Sequence, residues 1–170
     1  MDGIENAHRD FIHQLCQFSE QELNRVPNEG SWTAGQVTEH VIKSNEGILN
    51  KLLYGDVSQI TRPYDVQVVL LKNIFRSEDK MKTASVLEPS QPPHELNDLL
   101  KSLRQQRDQQ LEIINQKDLE ELNIGLQFPP APNGLTTYEW LIFMIEHTQR
   151  HCKQIESSYN EISLSKKFNL

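Results

Sequence analysis

The sequence predicts an all-α fold, a four-helix bundle with long connections, and three observations predict it. Four stretches repeat apolar residues at three- and four-residue steps, the stripe of a half-buried helix. Almost nothing alternates with the period of two that a strand requires. Two of the four stretches open on a capping box, and prolines cluster between stretches rather than inside them. The proline-rich connections interrupt any sustained heptad, so the one-sided faces belong to a bundle and not to a coiled coil.

The first helix is expected over residues 1–25. Ile4, His8, Phe11, Leu15 and Phe18 form its stripe, and Pro27 ends it, because the residue before a proline is pushed out of helical angles. Asn28-Glu29-Gly30 reads as a turn. The second helix opens at the box Thr33-Ala34-Gly35-Gln36 and runs to Tyr54, with Val37, Val41, Ile48 and Leu52 inward and Gly55 as the stop. Residues 55–94 are less regular, with a short helix at 66–74 and a stiff approach through Pro89, Pro92 and Pro93. The third long helix is placed at 93–116, its face made by Leu96, Leu99, Leu100, Leu103, Leu111 and Ile114. A loop of about twenty residues follows, of a length that in compact domains tends to be functional. It carries Pro129-Pro130-Ala131-Pro132 and the turn pair Asn133-Gly134. The fourth helix opens at the box Thr136-Thr137-Tyr138-Glu139 and runs to residue 162, leaving 163–170 as a frayed tail.

The 170 residues make one domain, 1–170. With 17 Lys+Arg against 24 Asp+Glu the net charge is −7, and no basic cluster offsets it, so nucleic acid is not an expected partner. No apolar stretch approaches the roughly 20 residues that span a bilayer, so no membrane partner is expected either. The N-terminus lacks the basic-then-apolar pattern of a signal peptide, which predicts a cytoplasmic protein. Cys16 and Cys152 are too few for a disulfide framework.

Six histidines remain to be explained. At about 100° per residue, with Trp140 at zero, Met144 falls near 40°, His147 near 340°, His151 near 20° and Ile155 near 60°. Both imidazoles therefore point into the apolar face, and His40 lies on the inward side of the second helix beside Val37, Val41 and Ser44. Two inward histidines at i and i+4 with a third from a facing helix suit a three-nitrogen metal site with an open position. The competing reading makes each a core histidine bonded to protein; the third histidine tips the balance towards the metal. His147-Thr148-Gln149-Arg150-His151 is no zincin motif, because no Glu follows the first histidine. Glu39 and Glu146 precede ligand candidates but point about 100° away, and they read as solvated, or at most as outer partners of the ligands. His8 and His13, about 140° apart, cannot chelate together. His8 reads as a boundary residue and His94 as surface, so no second site is expected.

Arg107 falls near 20° on the wheel that starts at Leu96, in the middle of the third helix's leucine face. An anion contact facing the metal cleft is one reading; an ion pair with a neighbouring helix is the commoner fate of an inward arginine. Cys152 reads as a packing cysteine, and Trp32 and Trp140 as anchors of helix ends.

The segment Ser31-Trp32-Thr33-Ala34-Gly35-Gln36-Val37-Thr38-Glu39-His40-Val41 resembles the Trp-then-His signature of the DinB-like superfamily. It pairs with His147-Thr148-Gln149-Arg150-His151-Cys152-Lys153-Gln154-Ile155, which is similar to that family's terminal His-x-x-x-His helix. The middle segment, 82–103, fits as well, so the resemblance spans nearly the whole chain. It implies a four-helix bundle of DinB-like type with a divalent metal (zinc, nickel or iron) held by His40, His147 and His151. It also implies a homodimer, an expectation to which apolar residues on the flanks of the first helix, Ile12 and Phe18, add. Active members include bacillithiol- and mycothiol-dependent S-transferases and a few hydrolases or isomerases; despite the name, DNA binding is not implied.

Two functions stand open. The first is a metal-dependent enzyme for an unknown small molecule, working by thiol S-transfer with a low-molecular-weight thiol or by hydrolysis. No protein base accompanies the histidines, so the reactive group is a metal-bound water or thiolate. The second is a non-catalytic bundle that binds a metal or a small ligand.

Overall fold

The computed structural model describes residues 2–77, 79 and 83–168. Expectations placed on residues 1, 82, 169 and 170 lie outside them. The order is α1 (Asp2–Leu15), α2 (Glu20–Leu23), α3 (Ala34–Tyr54), β1 (Val57–Ser58), α4 (Val68–Arg76), a 3₁₀ turn (Ser85–Leu87), α5 (Leu96–Gln116), β2 (Leu122–Asn123) and α6 (Thr137–Phe168). The fold is all-α apart from the antiparallel pair β1–β2, in which Val57 faces Asn123 and Ser58 faces Leu122.

Packing sets the directions of the four long helices. Gln106 of α5 donates to the Ile42 carbonyl of α3 and Lys117 reaches the Leu53 carbonyl, so α3 and α5 run parallel. One apolar cluster joins Ile4, Ile48 to Leu53, Ile113 and Trp140 to Met144; the other joins Phe11, Leu15, Val37, Val41, Leu99 to Leu103, Ile155 and Ile162. Therefore α1 and α6 run one way and α3 and α5 the other. Parallel neighbours need a connection that returns the length of the bundle, and residues 55–95 supply it.

Each long helix carries polar residues between its two apolar ends. His8 on α1, Ser44 and Asn45 on α3, Gln106 and Gln110 on α5, and His147 and Thr148 on α6 are all buried. A polar layer thus crosses the bundle between the clusters, and His8 meets Gln110 there at 3.2 Å.

Three element boundaries differ from expectation. The first helix ends at Leu15, because Ser19 takes an extended backbone (φ −70, ψ 162) to cap α2 with its own Ser19–Glu22 box. Phe18 nevertheless enters the core, so it is not a free flank. The third long helix starts at Leu96, because Glu95 before it keeps an extended backbone (φ −93, ψ 123). The supposed frayed tail continues α6 as far as Phe168, with Lys166 paired to Glu22 at 2.8 Å. Both predicted boxes form: Thr33 with Gln36 and Thr136 with Glu139. Gly55 ends α3 without a left-handed turn, at φ −82. Gly134, at φ +74, does take the left-handed conformation expected of the Asn133-Gly134 turn.

The inward face of α5 also differs. Its buried residues are Leu99, Leu100, Leu103, Gln106, Gln110 and Ile113, whereas Leu96, Leu111 and Ile114 are only partly covered. Relative to the leucine stripe the face is rotated by roughly 45° on the helical wheel. Arg107 consequently sits at the margin.

Candidate metal centre

His40 projects from α3, and His147 and His151 project one turn apart from α6, where the antiparallel helices cross. Ring centroids lie 5.3 Å apart for His40 and His147, 4.9 Å for His40 and His151, and 4.5 Å for His147 and His151. One nitrogen from each ring falls within 4.8 Å of the others. The Nε2 atoms of His147 and His151 are 3.1 Å apart, close to the roughly 3.3 Å that two imidazoles show on one tetrahedral ion with bonds of about 2.0–2.1 Å. His40 and His147 are buried, and His151 is only slightly less covered.

Two of the rings are oriented by bonds that leave Nε2 unprotonated, and that of His151 accepts from His147 Nε2–H. His40 Nδ1–H donates to the Leu87 carbonyl at 2.9 Å, and His151 Nδ1–H donates to Gln154 Oε1 at 2.8 Å. Such outer partners set the tautomer of a ligating histidine. His147 Nδ1 finds no partner among the described residues. Its ring is held by packing instead, with Phe75 at 5.5 Å and Phe143 at 5.7 Å. Phe128, from the long loop, stands behind both aromatic rings at 6.4 Å and 5.1 Å. Trp32 lies 5.3 Å from the His40 ring, so it walls the cluster as well as preceding the helix.

All three imidazoles are held neutral. Burial, reinforced by His151, His40 and Arg150, pushes His147 well below its ordinary range. Burial and His40 bring His151 down to about 4, against the bond from Gln154, and burial also lowers His40. A neutral ring offers a lone pair, so the donor set fits a borderline divalent ion.

The neighbouring carboxylates are committed elsewhere. Glu146 is buried and takes Arg76 through both oxygens, at 2.9 and 2.8 Å, rather than being solvated. Glu39 accepts from Ser90 and His94. Burial opposes its ionisation, but bonds from His94, Ser90 and Lys43 outweigh that and hold its pKa at about 2. Cys152 is raised to about 11 by burial, with Asp10 and Glu156 adding to the effect, as expected of a packing cysteine.

Other sequence candidates fall outside the cluster. Arg107 bonds Asp108 of its own helix at 2.7 Å and lines a surface groove with Arg9, His13 and Arg104, which shares no residue with the histidines. Among the described residues Arg107 pairs only within its own helix, and it lies apart from the histidines rather than facing them. His8 is fully in the core and not at its boundary, and His94 is buried rather than on the surface. Gln154, three residues after His151, was detectable from helical spacing. The Leu87 carbonyl was not, since a main-chain acceptor leaves no mark on residue type.

A family model described as the DinB superfamily matches residues 4–155, a span that takes in all three histidines. No curated protein and no solved structure matches the chain.

Proposed function

From the premise that the chain belongs to the DinB superfamily, we propose that it is a divalent-metal-dependent enzyme acting on a small molecule, by thiol S-transfer or by hydrolysis. The observation that carries this reading is the convergence of three neutral imidazoles, with no fourth Cys, Asp or Glu joining them among the described residues. A set of three protein ligands, rather than four, is the pattern of catalytic rather than structural sites. A divalent ion held there supplies Lewis acidity and lowers the pKa of a water or thiol that it binds. Zinc, nickel and iron all accept such a donor set.

The residues divide the remaining work. His40 and His151 present unprotonated Nε2 atoms because Leu87 and Gln154 occupy their Nδ1 protons. Phe75 and Phe143 keep water from the back of His147. Among the described residues no carboxylate is free to act as a general base there, since Glu39 is held by Ser90 and His94 and Glu146 by Arg76. That commitment of Glu39 and Glu146 also favours the second reading, a bundle that holds a metal or small ligand without turnover.

The test is metal analysis and titration of the purified protein, followed by a screen of low-molecular-weight thiols with electrophilic substrates and of small amides and esters. Bound metal with turnover supports the enzyme; bound metal without turnover across the screen supports the binding module. Absence of metal uptake at micromolar zinc, nickel and iron overturns the enzyme and leaves the binding module only in its small-ligand form. A homodimer and a cytoplasmic location complete the proposal, resting on the family; the dimer is checked by light scattering at micromolar concentration.

A further inference from the structure

Residues 87–94, the last part of the connection between α4 and α5, lie along the N-terminal half of α3 and touch it at successive turns. Gln36 donates to the Ser90 carbonyl at 3.1 Å. Lys43 donates to the Glu88 carbonyl at 2.9 Å. Glu39, between them, accepts from the Ser90 amide at 2.6 Å, from Ser90 Oγ at 3.0 Å and from His94 Nε2 at 3.0 Å. It also pairs with Lys43 at 3.2 Å. Gln36, Glu39, His40 and Lys43 are spaced to share one side of the helix.

The far end of this segment is seated by shape. His94 is buried with its ring against Gly35, where a Cβ would come within 2.9 Å of the His94 Cβ and 3.1 Å of its Nδ1. The His94 amide is fixed in turn by Asn24 Oδ1 at 2.6 Å. The near end is the Leu87 carbonyl that takes the His40 proton.

We propose that residues 87–94 are a clasp that presets His40 as the Nδ1–H tautomer with Nε2 bare, and that Glu39 is the positioning residue that fastens it. The proposal rests on the metal-site reading for its purpose, but its geometry is a property of the protein alone. Leu87 acts through a main-chain atom, so only the path of the backbone sets its place, and Glu39 binds that path at the most points. A loosened clasp frees the Leu87 carbonyl, and His40 then loses both its orientation and its preference between ring nitrogens. Partners of this kind typically contribute about 10–100-fold to metal affinity.

Long-range ¹H–¹⁵N spectra of the metal-free protein read the His40 tautomer directly, and competition with a chromophoric chelator reads zinc affinity. Wild type is expected to show His40 protonated at Nδ1. Glu39→Ala is expected to show exchange between tautomers and zinc binding weakened by about 10–100-fold, with helical circular dichroism unchanged. Glu39→Gln, which keeps one acceptor for the Ser90 amide, should fall between the two. Gly35→Ala is the second probe: it removes no polar group and keeps a good helix former in the first turn, yet its methyl lifts His94, so it should repeat the Glu39→Ala spectrum. Wild-type His40 protonated at Nε2, or both variants keeping Nδ1–H and wild-type affinity, overturns the clasp. Wild type that binds no zinc, nickel or iron overturns the functional reading, while the tautomer spectra still decide the clasp.

Discussion

His151 is the least covered of the three and has its outer partner, Gln154, on its own helix, so its loss disturbs the least structure. His151→Ala removes one nitrogen of three and should weaken metal binding by on the order of 100-fold or more. Helical circular dichroism should stay at the wild-type level, because the two apolar clusters and not the ion hold the helices. Cooperative loss of helix along with the metal would instead make the ion structural, as in a zinc finger. Asn45 poses the opposite case. It is fully buried, and neither side-chain atom finds a partner among the described residues. An unpaired buried amide costs roughly 1–3 kcal/mol, whereas an apolar group of similar shape costs nothing of the kind. Asn45→Leu is therefore expected to raise the thermal midpoint, and a lowered midpoint would show that the amide is engaged.

At the scale of elements, the start of α6 is tied to two distant parts of the chain. Glu139 is fully buried and accepts from Arg62 at 2.9 and 2.7 Å, from the Gln67 amide at 2.8 Å and from the Thr136 amide at 2.9 Å. One carboxylate thus caps α6 and anchors the connection that leads into α4. Glu139→Ala leaves the Arg62 charge and the Gln67 amide without their acceptor, a loss of the class that costs about 3–5 kcal/mol. Urea denaturation should show it as a lowered midpoint with an unchanged slope. The box itself was legible, since Thr136-x-x-Glu139 is a local signal. Arg62 was not, because its partner is brought in by the return of the chain. The Ser19-x-x-Glu22 box was equally present in the sequence, but the apolar stripe runs on through Phe18 and masks the break before it.

The whole molecule carries its pH response in the polar layer. Burial lowers His8 from 6.5 to about 4, against the bond from Gln110 and with help from the Arg107 charge. Between those values the unfolded chain binds a proton that the folded chain refuses, so stability is full above pH 6.5 and is lost as pH falls towards 4. A shift of that size corresponds to roughly 3 kcal/mol. His151, also held at about 4, adds a loss of the same sign in the metal-free protein. Thermal melts at pH 7 and pH 4.5 should show the drop, and His8→Gln should lessen it by the His8 share, leaving that of the clustered histidines. A His8→Gln curve as steep as wild type would place the response elsewhere.

Much of this protein was determined by the sequence alone. The two box-capped helices, the direction of the stripes on α1, α3 and α6, and the trio His40, His147 and His151 all follow from periodicity and capping. Both are local: they depend on residues within a turn or two, which the chain order preserves. What the tertiary structure decided is everything set by a partner distant in sequence. The face of α5 is turned so that Gln106 reaches the Ile42 carbonyl and Gln110 meets His8, which puts Arg107 at the edge. The burial of His94 needs the bare backbone of Gly35 opposite it. The tautomer of His40 depends on the Leu87 carbonyl, which reaches it only because α3 and α5 run parallel and the chain between them must travel back along the bundle.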